Sequence, residues 1–204
     1  MPSVTLSTNT TSARNDTSGN CGGACSMGND VFYTFTLAAA EIVYVDSVGS
    51  TFDTTLFLQD MAGTNLTDPM MPLGAVCNDN GGIGCMTGMQ SQLLARLPAG
   101  TYYLVLSGCG SGSATIHFQH LPVGNGPAVR IFPVVGGGSQ IINGTTAGTG
   151  LITSTCCSDG PENTYYFVTC PAFSSDSFTA TTCGGATWNT ELDQRSATRT
   201  PLSV

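Results

Sequence analysis

The sequence predicts an all-β protein, a β-sandwich followed by an incomplete second copy of the same sandwich. Three observations indicate this fold: short alternating apolar runs about ten residues apart, an unusual composition, and an internal repeat. Only 9% of the 204 residues are charged, whereas 26 are glycine. The sequence also has no sustained i, i+3, i+4, i+7 apolar pattern of the kind that predicts a long helix.

Six runs in the first part of the chain have the alternation of strands, and clusters of Gly, Asn, Asp and Ser separate them. The run TYYLVLSG is typical. Its residues Tyr102, Leu104 and Leu106 would point to one face of a sheet, and Tyr103 and Val105 to the other. The predicted strands are 31–37, 42–48, 54–59, 92–97, 101–107 and 114–120.

The chain repeats itself in order. The segments NTTSARND, NDVFYTFTL and GSTFDTTL recur as NGTTAGTG, ENTYYFVTC and GATWNTEL. Asn9 and Asn143 lie 134 positions apart, and Gly49 and Gly185 lie 136 apart, an offset that suits two tandem domains. The second copy stops where the CNDN segment should begin. We predict a complete sandwich at 1–122, a linker at 123–128 and a truncated repeat at 129–204, as an excerpt of a longer exported protein.

The charge restricts the partners. A net charge of −8 and a pI near 4.2 argue against nucleic acid, because no basic stripe could displace counterions. All five cationic residues are arginine, so lysine Schiff-base chemistry is excluded. No run approaches the roughly 18 apolar residues that a membrane span needs. The expected partners are an extracellular polymer, a protein surface, or other copies of the chain.

Nine cysteines in 204 residues indicate a secreted or cell-surface protein. We predict a disulfide between Cys77 and Cys85, which bracket a glycine-rich loop. The pairing of the other first-copy cysteines stays open: Cys21, Cys25 and Cys109. The second copy carries four cysteines, and we expect each of them to form a disulfide with a different strand. They are Cys156, Cys157, Cys170 and Cys183. Zinc is the rival interpretation, but CxxxC and an adjacent CC pair without CxxC knuckles indicate it only weakly.

An acidic turn is the candidate metal site. Asn78, Asp79 and Asn80 precede two glycines, and Asp53 and Asp60 stand at the two ends of a predicted strand. Calcium takes six to eight hard oxygen ligands, which clustered Asp and Asn supply. The alternative is that these residues only cap turns, where Asn and Asp are favoured. Apart from calcium, no cofactor is predicted.

The sequence points away from catalysis. It has no GxSxG elbow. His117 and His120 lie three apart on a predicted strand and would face opposite sides, so they could not share a metal. Aromatic residues at alternating strand positions are expected in the core by default. Here these residues are Phe32, Phe52, Tyr102, Tyr103, Tyr165, Tyr166 and Trp188. Binding of a polymer would require one or two of them to be exposed instead.

Five segments of the first copy carry a family resemblance: NDVFYTFTL, GSTFDTTLFLQD, CNDNGG, SQLLARLPAGTYYLVLSG and ATIHFQ. Through them the first copy resembles the bacterial pre-peptidase C-terminal domain, a jelly-roll-type sandwich found beside secreted proteases. Its cysteines are similar to those of myxobacterial surface proteins.

The resemblance implies a non-catalytic module that binds surfaces or polymers, sometimes with calcium, and we expect adhesion or substrate targeting. Two alternatives stay open. One is an assembly subunit whose half-domain is completed by another chain. The other is an accessory fragment of a secreted hydrolase whose catalytic domain lies outside this chain.

Overall fold

The computed structural model describes residues 4–19, 21, 25, 28–68, 74–80, 88–122, 128–131, 139–146, 164–167 and 179–192. These contain ten strands and no helix, and so no helix that could span a membrane. The strands are β1 (Val4–Asn9), β2 (Val31–Leu37), β3 (Glu41–Asp46), β4 (Asp53–Asp60), β5 (Cys77–Asp79), β6 (Gln92–Leu97), β7 (Gly100–Cys109), β8 (Ser113–Pro122), β9 (Ala128–Ile131) and β10 (Thr164–Phe167).

The first eight strands form two antiparallel four-stranded sheets. One sheet has the order β1-β8-β3-β6 and the other has the order β2-β7-β4-β5, which is the strand order of an eight-stranded jelly roll. The predicted fold class is confirmed. Two predicted strands coincide with β2 and β6, and the other four differ from β3, β4, β7 and β8 by one or two residues at each end.

The main core lies between the two sheets. Leu56 and Leu58 of β4 alternate inward with Leu104 and Leu106 of β7. Facing them across the sandwich are buried residues of β3, β6 and β8: Val43, Val45, Leu93, Ala95 and Ile116. The predicted split of the β7 side chains is confirmed, because Tyr102, Leu104 and Leu106 belong to this core and Val105 does not.

A second, smaller apolar cluster lies on the outer face of the β2-β7-β4-β5 sheet. Phe57 and Val105 are opposite each other in β4 and β7, and Cys77 of β5 is opposite Phe57. Ala75 and Cys21 complete the cluster, and Tyr103 packs at its border. Phe57 and Val105 are at most 1% exposed, so the outer face of this sheet is covered here.

The cover is the segment between β1 and β2. Gly19 lies so close to the ring of Phe57 that a Cβ there would be 2.6 Å from Phe57 Cδ1. The segment is also tied down by hydrogen bonds, since Asn65 Nδ2 donates to the carbonyl of Ser18 (3.0 Å) and Gln59 Nε2 donates to Thr17 Oγ1 (2.9 Å).

The second half of the chain contains the pair β9 and β10, which are parallel to each other. In the repeat alignment Thr164 of β10 corresponds to Val31 of β2, so a strand recurs at the equivalent position. The pairing does not recur, because β2 is antiparallel to β7. Tyr166 packs against the main core of the first sandwich. Trp188, expected in a core, is 53% exposed instead, whereas its counterpart in the first copy, Phe52, is buried.

Candidate functional site

Three of the five predicted calcium ligands meet at one end of the outer face of the β2-β7-β4-β5 sheet. Asp79 of β5 is opposite Thr55 of β4, and Asp53 is two residues from Thr55 on the same face. Asp79 Oδ1 accepts hydrogen bonds from Thr55 Oγ1 (3.4 Å) and from Asn80 Nδ2 (3.2 Å). Asn80 has a positive φ of 66°, the left-handed conformation that Asn tolerates.

The other two predicted ligands lie elsewhere. Asn78 is adjacent to Asp79 in β5 and faces the opposite side of the sheet, where its Oδ1 accepts from the backbone N–H of Gln92 (3.0 Å). Asp60 closes the turn after β4, because its Oδ1 accepts from the N–H groups of Ala62 (2.9 Å) and Thr64 (2.8 Å). Asp60 thus has the turn-capping role that was the alternative to a metal ligand, whereas Asn78 links β5 to β6.

The gathered carboxylates have no described cationic partner. Asp53 Oδ1 is buried and accepts no hydrogen bond in the described part of the chain. Burial raises the pKa of Asp53. Burial also raises the pKa of Asp79, and the negative charge of Asp53 adds to it, while the hydrogen bond from Thr55 acts in the opposite direction. Two mutually repelling carboxylates with a free oxygen are an arrangement that a bound cation would stabilise.

The raised pKa values fix the sign of a pH effect. A carboxyl whose pKa is higher in the folded than in the unfolded state favours folding below its unfolded pKa, and this contribution is lost as the pH rises through the folded value. Without divalent cations, we expect Asp79→Asn to match the parent in free energy of unfolding at about pH 3. It should then become the more stable of the two as the pH rises above about 4. Urea unfolding at a series of pH values measures this. A constant difference across the series would contradict it.

The disulfides differ from the predicted one. Cys77 is bonded to Cys21, with Cα atoms 5.2 Å apart, and Cys25 is bonded to Cys109, with Cα atoms 4.3 Å apart. The predicted Cys77–Cys85 bridge is therefore wrong, because Cys77 faces the outer cluster and meets the covering segment there.

The remaining cysteines are not all described. Cys85, Cys156, Cys157 and Cys170 lie outside the described residues. Cys183 is exposed and free, so its expected disulfide is also wrong. It lies in an exposed turn that ends at Gly185.

An exposed aromatic pair lies on the same outer face, toward the β2 edge. Phe32 is 41% exposed, and its ring meets that of Tyr103 edge to face, with centroids 6.0 Å apart. Thr34 and Thr36 continue this face along β2, and Thr36 Oγ1 lies 3.0 Å from Thr101 Oγ1 of β7. We call this surface, formed by Phe32, Tyr103, Thr34, Thr36 and Thr101, the aromatic strip.

The two histidines lie on opposite faces, as predicted, and each pairs with a buried carboxylate. His117 Nδ1 is 2.7 Å from Asp46 Oδ1, and Asp46 Oδ2 also accepts from the hydroxyl of Tyr44 (2.7 Å). His120 Nδ1 pairs with Glu41. These contacts satisfy two carboxylates that are each 5% exposed, and that role accounts for both histidines.

Sequence reasoning missed Asp30, which precedes β2 and is 5% exposed. Its Oδ2 accepts from the N–H groups of Asp16 and Thr17, both at 2.8 Å, while Asn29 Nδ2 donates to the carbonyl of Thr10 (2.9 Å). The dipeptide therefore holds the covering segment in place. The sequence feature that could have identified it is the Asn-Asp pair directly before a strand, but such a pair by itself predicts only a turn.

No protein-family model and no curated protein matches this chain. Eight chains of solved structures match it, among them the following two. The first is the pre-peptidase C-terminal domain of a collagenase from Bacillus anthracis, with 16% identity over 57% of this chain and 88% of that one, at a TM-score of 0.34. The second is PliG of Aeromonas hydrophila, a periplasmic inhibitor of g-type lysozyme, with 12% identity over 59% and 85%, also at 0.34. At this similarity the fold assignment depends on this chain's own strand order.

Proposed function

We propose that the chain is a non-catalytic extracellular binding module of a secreted or surface-attached bacterial protein, of the pre-peptidase C-terminal type, used for adhesion or substrate targeting. The observation that carries the proposal is the aromatic strip. Phe32 and Tyr103 leave an aromatic surface exposed on a sheet whose neighbouring outer face is covered and cross-linked by two disulfides. The disulfides support an oxidising location.

The aromatic strip suits an extended polymer. Phe32 and Tyr103 offer ring surface for apolar groups, and the threonines beside them offer hydroxyl donors and acceptors. Rings held on a rigid sheet lose little conformational entropy on binding. A polysaccharide or a fibrous protein presents such alternating apolar and polar surface, and both are classes that this strip could hold.

The test is binding to insoluble collagen, chitin, cellulose and peptidoglycan by co-sedimentation. We expect Phe32→Ala to weaken binding to at least one of them roughly tenfold or more, because burying such a ring contributes about 1.5 to 3 kcal/mol. The matched control is Trp188→Ala, which removes another exposed ring outside the aromatic strip. Loss of binding in the control but not in Phe32→Ala would contradict this location, and no binding to any of the four polymers would remove the proposal's support.

We further propose that Asp53, Asp79 and Asn80 bind calcium in the oxidised protein. Binding to the folded state alone stabilises by RT ln(1 + [L]/Kd), which is about 2.7 kcal/mol at a hundredfold excess over Kd. Millimolar calcium should therefore raise the melting temperature of the parent and not that of Asp79→Asn. Asp60→Asn is the control, because it makes the same chemical change at a turn. Identical melting curves in calcium and in chelator would mean that the acidic turn is only a turn.

Assembly is the second proposal, and one observation favours it. Trp188 and Leu192 of the second half are both more than half exposed, and apolar residues exposed in this way can be covered by another chain. Light scattering on the full chain over a range of concentrations tests this: a mass above that of one chain supports assembly, and a monomer at all concentrations contradicts it.

A further inference from the structure

We propose that Cys25, Cys109 and Asp53 form a second, redox-controlled metal site. When the Cys25–Cys109 disulfide is reduced, the two thiolates and the carboxylate would bind a thiophilic divalent cation such as Zn²⁺. This inference goes beyond the proposed function, since it concerns the reduced chain and a different class of cation.

The three groups are already assembled. Asp53 of β4 is directly opposite Cys109 of β7, so the two side chains share the outer face of the sheet. Cys25 Sγ lies 3.6 Å from Asp53 Oδ2. One ligand atom from each of the three residues lies within 4.8 Å of the other two, a separation that a single ion can bridge after small side-chain rotations.

The backbone holds these ligands in place without the disulfide. Asp53 and Cys109 are fixed by the ladder between β4 and β7, where Gly108 packs so closely on the carbonyl of Asp53 that no side chain would fit. Cys25 is tied to β4 by a hydrogen bond from Thr55 Oγ1 to its carbonyl (3.3 Å). Reduction therefore frees two sulfurs that remain next to the carboxylate.

The environment of the Asp53 carboxylate indicates that a cation binds there. Its Oδ1 is buried and accepts no hydrogen bond in the described part of the chain. An ionised carboxylate in that position is costly unless a cation compensates it.

A small thiol can act as the reductant that opens the Cys25–Cys109 disulfide. Two equivalents of a small thiol, R–SH, donate two electrons and two protons to the Cys25–Cys109 bond and leave as R–S–S–R. The two cysteine thiols then lose their protons to solvent as they bind Zn²⁺. Thiol–disulfide exchange with R–S–S–R reverses the reaction: the two thiolates give up two electrons as the Cys25–Cys109 bond re-forms, the R–S⁻ groups take protons from solvent and leave as R–SH, and the metal is released. With the disulfide closed, the site offers only oxygen ligands, which suit calcium instead.

The other disulfide provides a matched control within the chain. Cys21 and Cys77 lie in the apolar cluster with Phe57, Ala75 and Val105. In the described part of the chain, no carboxylate comes close enough to both of their sulfurs to share a metal ion with them. Two free thiols there would lack the third ligand. The two cysteine pairs should therefore differ in metal binding after reduction, although each pair consists of two cysteines.

The experiment uses the full chain, in which only the two disulfide pairs are kept. The other five cysteines are replaced by serine: Cys85, Cys156, Cys157, Cys170 and Cys183. The protein is reduced, freed of reductant without oxygen, and titrated with Co²⁺. We expect thiolate-to-cobalt charge-transfer absorption and the visible bands of tetrahedral Co²⁺, both removed by Zn²⁺. Cys21→Ser/Cys77→Ser should retain these bands, and Cys25→Ser/Cys109→Ser should lose them. The oxidised protein should show none.

The Asp53→Asn variant distinguishes the proposed three-ligand site from metal binding by the two thiols alone. We expect it to weaken Co²⁺ binding about tenfold or more, the order of effect seen when a metal site loses a supporting group. A chain that unfolds on reduction would bind Co²⁺ without regard to Asp53, and that result would overturn the proposal. Equal bands from the Cys21 and Cys77 pair would also overturn it. Calcium stabilisation of the oxidised chain is measured separately, so either proposal can fail alone.

Discussion

Replacing Cys25 and Cys109 together by serine should lower the free energy of unfolding by about 4.5 kcal/mol, because the chain-entropy estimate for a loop of this length is close to that value. The bond joins residues 84 positions apart, and so it removes much of the freedom of the unfolded chain. It also fastens the covering segment to β7, a strand in the middle of its sheet. The loss should appear in urea unfolding of the oxidised protein.

The control for this prediction is Cys183→Ser, which replaces a free and exposed thiol and should change the free energy of unfolding by less than about 0.5 kcal/mol. Cys21→Ser/Cys77→Ser should cost a similar amount to the first pair, since that bond joins residues 56 positions apart. The two losses should not simply add, because the two loops share residues 25–77. A loss below about 1 kcal/mol for either pair would mean that the disulfides do not constrain the unfolded chain as this estimate assumes.

Phe57→Ala should be as destabilising as a change in the main core, about 3 to 5 kcal/mol, although Phe57 is on the outer face of its sheet. Its side chain is 1% exposed and lies under Gly19, between Val105 and Cys77. Truncation would leave a cavity that the segment above cannot fill, because disulfides and hydrogen bonds hold that segment. Thermal and urea unfolding both measure the effect.

Phe32→Ala is the comparison for Phe57→Ala. Both are phenylalanines on the outer face of the same sheet, but Phe32 is 41% exposed, so its removal should cost well under half as much. Leu104→Ala, in the main core, should cost about 2 to 5 kcal/mol. If Phe57→Ala behaves like Phe32→Ala, the outer cluster contributes little, and the covering segment would be a loose loop in solution.

The strands that the sequence predicted are those whose apolar residues alternate. β2 was predicted to the residue because nearly all of its residues are β-branched or aromatic, which favours a strand. β6 was also predicted to the residue, although its Gln, Leu, Ala and Arg residues are not strong strand formers. β1 and β5 were not predicted as strands. β1 contains mostly Thr, Ser and Asn, and β5 consists of Cys77, Asn78 and Asp79, which are residues typical of turns. Both lie at the edges of their sheets, where one neighbouring strand is enough to hold a weak strand.

The candidate metal site was predicted in part for a related reason. The sequence predicted a turn at this segment, so Asn78 and Asp79 were both candidate ligands. The segment is strand β5, in which adjacent side chains point to opposite faces, and only Asp79 lies on the face of Asp53. Asp53 joined the site because β4 and β5 pair in a register that only the folded sheet defines. The disulfide error has the same origin. Cys77 and Cys85 are neighbours in sequence, whereas Cys21 reaches Cys77 only because its segment folds back over Phe57.

The order of the strands determines when the fold can form during synthesis. β7 lies between β2 and β4, and β8 lies between β1 and β3, yet β7 and β8 are the last strands of the sandwich to leave the ribosome. Until then β1 and β2 have no partner strand, and their pairings span most of the domain, as in Val4 with Phe118. Such long-range pairing makes folding slow. The sandwich can therefore be completed only when about residue 122 has emerged, although the β3–β6 and β4–β5 pairs can form earlier.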